Sequence, residues 1–472
     1  MANPRQALIV GGGLSGIFAA LLLAQSKPKR EVILIERAGT LGGLYSSFDC
    51  GDAGFFDHGP HLFYESCRPE VDSVIREVLP DSDWIFLSGN KKDIAGAYHH
   101  GVLQTNSNYM DLRRVDGIDL KAYAGDFFLN LSQARPDATP RTARDYFLSR
   151  FGPLVADSML EPVVNKLWGC PSAELSPFVA TMVTMDRIIL FDSEVMTDLM
   201  KSDLIRSRLA YPEQTNLPAG SRASAQRGLY PKTFGLTHFV NAARDKLKRL
   251  GAIVIADAAI DALDIKSGEV RGAKIRSPSG NHVFSDLEFV HWTAGMPALE
   301  KQLGAAASAA HSLRTRRVVF VNALLKEPPA MGDNYYTYCF QPGFKTHRVT
   351  NFTNYCPAAE SVRGFPISIE LHFAGEEKIE AYQLPELALG ELFKMGLVKD
   401  ASSVLWSGVG PGNYMWPIPT LESQDRSRQL EHDLHRMAPS NLYTAGPSLY
   451  RNLFFLHDLV ANSYDTLSSR IE

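Results

Sequence analysis

Residues 7–16 read Ala-Leu-Ile-Val-Gly-Gly-Gly-Leu-Ser-Gly, and an Ala/Leu-rich segment then leads to Val32-Ile33-Leu34-Ile35-Glu36. The first apolar run ends in glycines and reads as a buried strand. Leu14 to Ala24 reads as a small-residue helix, and Val32 to Ile35 as a second strand. Strand, helix and strand in so short a span form a βαβ unit, which demands a parallel sheet with a right-handed crossover. Gly11, Gly13 and Gly16 satisfy GxGxxG: the first permits the tight turn, the second lets backbone approach a pyrophosphate, and the third lets helix and strand pack closely. The helix start at Leu14-Ser15 turns free N–H groups toward such an anion. Glu36, at the end of the second strand, can accept from a ribose hydroxyl and repels a 2′-phosphate. These residues predict a dinucleotide and leave NAD and FAD both open.

Working outward, 472 residues exceed one ordinary core and imply two to three domains. Hydrophobic residues make up 45% and charged residues 21%, ordinary soluble usage, and the net charge of −4 creates no field that recruits nucleic acid. Cys50, Cys67, Cys170, Cys339 and Cys356 are scattered without a CxxC pair, so neither a metal site nor a disulfide framework is expected, and a cytoplasmic location is. Met1 to Gln6 leaves no room for a signal core, and no run of about 18 apolar residues occurs. The expected partner is a small-molecule substrate, and a homodimer is compatible with this reading.

The pattern divides the chain into five segments: 1–70 and 229–300 as parts of a dinucleotide domain, 71–228 as a largely helical insert with a lid loop, 301–430 as a β-sheet substrate domain, and 431–472 as the dinucleotide domain's last strand and helix. From Asp119 to Leu204 the spacing is helical. A polar stretch from Arg206 to Gly228, with Pro212, Pro218, Gly220, Arg222 and Arg227, reads as a long loop. Leu236 to Leu250 reads as an amphipathic helix. Ala252–Ile255, Phe289–Trp292 and Asn441–Ala445 read as strands, as do Val318–Val321, Tyr335–Phe340 and Ile367–Phe373. The fold class is therefore α/β, with a discontinuous Rossmann-like domain, an inserted helical region and an antiparallel-sheet substrate domain.

Glu36-Arg37-Ala38-Gly39-Thr40-Leu41-Gly42-Gly43-Leu44-Tyr45 resembles the second glycine motif of the amine oxidase, protoporphyrinogen oxidase and UDP-galactopyranose mutase superfamily of flavoproteins. The resemblance implies non-covalent FAD, with Gly42, Gly43 and Leu44 against the diphosphate and ribityl chain and Arg37 beside them. No cysteine follows Cys356 to carry the covalent link of the monoamine oxidases. Asp57-His58-Gly59-Pro60-His61-Leu62-Phe63 resembles the mutase segment along the isoalloxazine, which implies that Gly59, Pro60 and His61 face the flavin. As a turn residue His61 could equally be a hydrogen-bonding strut. Lys166-Leu167-Trp168-Gly169 resembles a stretch whose tryptophan frames the sugar-nucleotide pocket, although Trp168 also fits a core. Val254 stands where the superfamily contacts adenine, and Gly446 with Leu456-His457-Asp458 where it closes over the flavin pyrimidine. Thr346-His347-Arg348-Val349 is similar to a segment whose arginine reaches the substrate diphosphate.

Departures bear on the reaction. Pro447, Leu453, Phe455 and Val163 stand where the mutase pattern has arginine, tyrosine, an acid and tyrosine. Losing such groups removes several charge-assisted contacts, each worth about 1.5–3 kcal/mol. Arg187, Arg451 and the arginines of the 206–227 loop could rebuild an anion site. Tyr414, Trp416, Tyr450 and Phe454 supply candidates for an aromatic wall, or for core packing. His61, His347, His372 and His457 are the available bases, and His61 and Arg348 the candidate catalytic pair. Three readings follow: an FAD-dependent oxidoreductase taking hydride at flavin N5 from a small polar, sugar or nucleotide-sugar substrate; a sugar-nucleotide mutase using reduced FAD; and a flavoprotein whose FAD is structural and serves a partner.

Overall fold

The structure, a computed structural model, describes residues 5–133, 139–218, 226–304, 313–360, 363–412 and 414–471. Gly220 and Arg222 of the polar stretch lie outside the described residues. Strand β1 (Gln6–Val10), helix α1 (Leu14–Gln25) and strand β2 (Glu31–Ile35) form the expected βαβ unit. Five parallel strands make up its sheet, in the order Ile253–Ile255, β2, β1, Leu287–Trp292 and Leu442–Thr444. The Rossmann-like sheet is thus assembled from segments far apart in the chain. Helix α1 is buried from Leu14 to Leu23 because it lies between this sheet and the helices Thr237–Arg249 and Leu456–Leu467. A helix covered on both sides needs apolar residues nearly all round, and its sequence lacks a polar face for that reason.

Two features differ from the expectation. A three-stranded antiparallel sheet, Ala259–Lys266, Glu269–Ser277 and Gly280–Ser285, stands inside the 229–300 segment and shares a core with one face of the parallel sheet. In addition, the large sheet is not drawn from 301–430 alone. Ala95–His99 and Val102–Gln104 extend it, and Ala95–His99 pairs in parallel with Tyr336–Cys339, so the antiparallel sheet becomes mixed at that junction. Short apolar runs between polar turns do not announce a distant partner. The helical part is as read, with Leu120–Ser132 capped by Asp119 and Ala143–Phe151 opened by a Thr142/Asp145 capping box. Much of the polar 206–228 stretch is anchored: the Gln214 side chain bonds both backbone groups of Ala95, and Arg227 pairs with Glu65.

In the large sheet the period of two sorts the side chains. Val319, Val321, Ala323, Val349, Ile367, Ile369, Leu371 and Phe373 bury one face against the helix Leu384–Met395. The alternate positions Phe320, Asn322, Arg348, Thr350, Ser368, Glu370 and His372 form the opposite face, which meets residues 56–61 of the Rossmann half. Among the described residues no helix is long and apolar enough to cross a membrane.

Candidate functional site

The dinucleotide cradle is built mainly from backbone. Gly11 N–H donates to Ile35 O at 2.9 Å, and Gly42 N–H to Gly12 O at 2.8 Å, so the two glycine motifs are tied together. Glu36 accepts from Gly12 N–H at 2.6 Å and Ala38 N–H at 2.7 Å, which fixes the carboxylate at the end of β2 with lone pairs to spare for a ribose hydroxyl. A Cβ on Gly16 would lie 1.8 Å from Gly11 O, so only glycine allows this approach of helix to strand. A Cβ on Gly13 would meet nothing within 4 Å, so this position is left open toward a ligand. Helix α1 opens at Leu14-Ser15 with no side-chain cap and no acid in its first turn, which leaves its positive end for an anion. Gly446 joins the cradle too: a Cβ there would come 3.1 Å from Thr293 O, and Thr293 Oγ1 donates to Gly11 O at 3.1 Å. Open space at Gly13, an uncapped helix start and a carboxylate at the ribose position together fit a dinucleotide.

Side chains build the other half. Asp57 is wholly buried and accepts from Ser47 Oγ at 2.5 Å, Tyr230 Oη at 2.5 Å and Leu236 N–H at 3.0 Å. Burial raises its carboxyl, and the three donors oppose that rise. This node holds the start of the His58-Gly59-Pro60-His61 turn. His58 lies 2.8 Å from Ser46 O through Nδ1, so Nδ1 carries the proton and Nε2 accepts from Tyr414 Oη at 2.5 Å. Burial, then the nearby Arg348, push His61 down to about 3, so it is neutral at pH 7.

Arg348 Nη2 and Nε bond Glu370 Oε2 at 2.7 and 3.1 Å, and the guanidinium lies 5.7 and 5.9 Å from the Tyr336 and Tyr338 ring centres. A Cβ on Gly59 would sit 3.6 Å from Arg348 Nη2, which places the ion pair directly behind the Gly59–His61 turn. Burial works to raise Glu370, but Arg348, His347 and the hydrogen bond from His372 together outweigh it and hold the carboxyl well below the usual range. Since Glu370 is ionised, His372 must donate through Nε2 to Glu370 Oε1, at 2.9 Å. His347 stacks on His372 with 4.2 Å between ring centres. His347, Glu370 and His372 offer ligand atoms within 4.8 Å of one another. Glu370 is nonetheless already neutralised by Arg348, and Lys166 and Arg316 add positive charge beside the two imidazoles. A divalent cation is therefore disfavoured at these three residues.

The sequence candidates divide between those gathered here and those held elsewhere. Gly11, Gly13, Leu14, Ser15, Gly16, Glu36, Gly42, Gly43 and Gly446 share the cradle, while Arg37 and Leu44 stand exposed at its rim. Val254 lies in the strand beside β2, in register with Leu34, and Leu456 opens the terminal helix. Gly59 and His61 lie beside Arg348, Pro60 joins them in the turn, and Tyr414 reaches the same turn through His58. Trp416 contacts His372 edge-on at 6.0 Å and stacks on Phe454 at 5.1 Å. Trp168 is buried, and its Nε1 has no hydrogen-bond partner among the described residues.

The arginines require correction. Arg348 is not free to grip a diphosphate, because Glu370 takes its charge. Arg187 lies on the Tyr109 ring at 4.4 Å and pairs with Asp186 at 3.6 Å; Arg451 pairs with Glu431 at 3.1 Å. Each of the three guanidinium groups is thus taken up by a neighbouring acid. Glu370, Asp57 and Tyr230 escaped sequence reading. The available signal for Glu370 was a lone acid in the apolar strand Phe365–Ala374, at the same parity as Ser368 and His372.

Comparison with known proteins agrees with this construction. Residues 9–78 match the NAD(P)-binding Rossmann-like domain family. An L-amino acid oxidase from Cerastes cerastes is 35% identical over 79 residues, which is 16% of this chain and spans only 14% of that oxidase's length. Over the whole chain, a reduced UDP-galactopyranose mutase superposes with TM-score 0.71 at 17% identity, covering 99% of this chain and 96% of that one. A protein from Exiguobacterium sp. 255-15, assigned as a protoporphyrinogen oxidase, gives 0.68 at 15% identity over 100% and 99%. At these identities the likeness is one of fold, and it agrees with the fold that the superfamily resemblance implies.

Proposed function

We propose that the chain is an FAD-dependent oxidoreductase acting on a small polar substrate, with sugars and nucleotide sugars among the candidates. The observation that carries this reading is the buried Arg348–Glu370 pair behind the Gly59–His61 turn. A diphosphate grip needs uncompensated guanidinium charge, and here the central guanidinium is already neutralised. FAD in the cradle supplies the hydride acceptor. The chain's own residues would then orient the substrate between the turn and the aromatic edge of Trp416 and Phe454. His61, kept neutral, accepts a hydrogen bond from the substrate's O–H or N–H. Tyr414, whose proton goes to His58, presents its hydroxyl oxygen as an acceptor at the same edge.

A mutase is the second reading, favoured by the fold match across nearly the whole chain to a UDP-galactopyranose mutase. Anaerobic titration of the oxidised holoprotein with candidate alcohols, amines and nucleotide sugars separates the two. The oxidoreductase bleaches the flavin without added reductant and recovers its spectrum with O2. A strict need for pre-reduction, with a product isomeric to the substrate, would sink the proposal in favour of the mutase.

A further inference from the structure

Oxidation of an O–H or N–H substrate needs a proton acceptor, and the histidines of the site do not supply one. His61, His347 and His372 are held below their ordinary range, first of all by burial. His58 has both ring nitrogens bonded, to Ser46 O and Tyr414 Oη. Asp57 is spent on three donors, and Glu370 on Arg348 and His372. One further carboxylate belongs to the same wall. Asp93 stands two residues before Ala95, at the parity of Ala95 and Ala97, whose cross-strand neighbours are Tyr336 and Tyr338. Tyr336 Oη donates to Asp93 Oδ1 at 2.9 Å, and the Arg348 guanidinium lies on the Tyr336 ring. From the other side comes Tyr64, three residues after His61, with its hydroxyl beside the carboxylate. Asp93 is therefore bracketed by one tyrosine from the large sheet and one from the strand that follows the Gly59–His61 turn.

Its surroundings suit a base. Asp93 is exposed, yet the protein packed round it raises its carboxyl above the usual value, against the opposing pull of Tyr336 and then Lys92. A side chain both accessible and walled in lines a cleft, and a raised carboxyl in a cleft is fitted to take a proton. Lys92 turns its ammonium to Gln226 Oε1 at 2.7 Å and to the Tyr64 ring. Among the described residues no ion pair cancels the Asp93 charge as Arg348 cancels that of Glu370.

We infer that Asp93 is the general base of the substrate oxidation: its carboxylate accepts the O–H or N–H proton as hydride leaves the adjacent C–H for FAD. The C–H electron pair goes to the flavin, the O–H or N–H pair becomes the second bond of C=O or C=N, and the proton passes on from Asp93 to water. The assignment rests on the oxidoreductase reading and supplies its missing proton acceptor.

Asp93→Asn and Asp93→Ala test it. Glycerol, glucose, benzylamine and UDP-galactose are the probes, mixed anaerobically with the oxidised holoprotein in a stopped-flow instrument. With any probe that bleaches the wild type, both variants should reduce the flavin at least about 100-fold more slowly, with stoichiometric FAD retained. Formate, a carboxylate that fits the space left in Asp93→Ala, should restore part of that rate in proportion to its concentration. Urea unfolding of the holoprotein at pH 7 should find Asp93→Asn no less stable than the wild type, because the amide keeps the Tyr336 bond and removes a charge that its surroundings disfavour. A carboxylate with a purely structural role would give the opposite urea result and no response to formate. Flavin reduction of Asp93→Asn at the wild-type rate, no formate rescue of Asp93→Ala, or a fall in the urea midpoint of Asp93→Asn would each overturn the inference and leave the oxidoreductase reading standing. A wild type that no probe reduces overturns that reading, and the inference falls with it.

Discussion

The cradle at Gly11–Glu36 and the sheet face at Arg348–His372 meet the same space and are made of different material. In the cradle the working groups are backbone N–H donors and missing side chains, held by strand and helix geometry. On the sheet face they are a buried ion pair and two imidazoles, held by one another. A backbone site tolerates no added atom but carries no net charge to compensate. A side-chain site tolerates small changes of shape but fails when one member of a pair is lost. Substitutions should therefore separate ligand binding from stability differently in the two regions.

The largest effect expected is on flavin binding by Gly13→Val. Its new atoms meet no protein atom at Cβ, so the fold should persist while FAD affinity falls by about 100-fold or more. Retention of stoichiometric FAD after gel filtration would break the contrast on the cradle side. Next is Glu370→Gln, which leaves the Arg348 charge buried without its partner. Urea unfolding should show a loss near about 3 kcal/mol, the lower end for a broken buried pair because Arg348 is partly exposed, with a smaller change in FAD affinity.

A smaller effect concerns acid. Burial holds His61 and His291 down to about 3, below the value of about 6.5 in the unfolded chain. The unfolded state then binds more protons, so their contribution is fully present above pH 6.5 and is lost as pH falls toward 3. Between pH 7 and 5 unfolding should become easier by about 1–2 kcal/mol per histidine. His291→Gln, which replaces a ring bonded to Ser463 away from the site, should flatten that slope without changing the flavin spectrum. Glu370, held ionised by Arg348, behaves with the same sign only below about pH 4.3, where the unfolded carboxyl protonates. The smallest effect is Tyr414→Phe, which removes one hydrogen bond to His58 and should cost about 1 kcal/mol or less, read as a small shift in the urea midpoint.

Legibility followed the same division. The glycines of the cradle and Glu36 stand close in sequence at spacings that only one kind of turn explains, so their assembly could be read directly. Arg348 resembles an arginine that reaches a substrate diphosphate, and that role does not survive the structure, where its charge is already paired. What cancelled it was Glu370, in a different strand and without a motif of its own. The strand Ala95–His99, short and without marked alternation, likewise gave no hint that it would pair in parallel with Tyr336–Cys339.

The strand–helix–strand order of β1, α1 and β2, the uncapped helix start and the carboxylate that ends β2 were determined by sequence alone. They depend on local backbone geometry, which neighbouring residues control. Which charges remain free at the site, and which strands meet in the large sheet, were decided only in the tertiary structure. Net charge at a buried point and the pairing of a strand are sums over partners that the chain brings together from hundreds of residues apart, and no local pattern carries that sum.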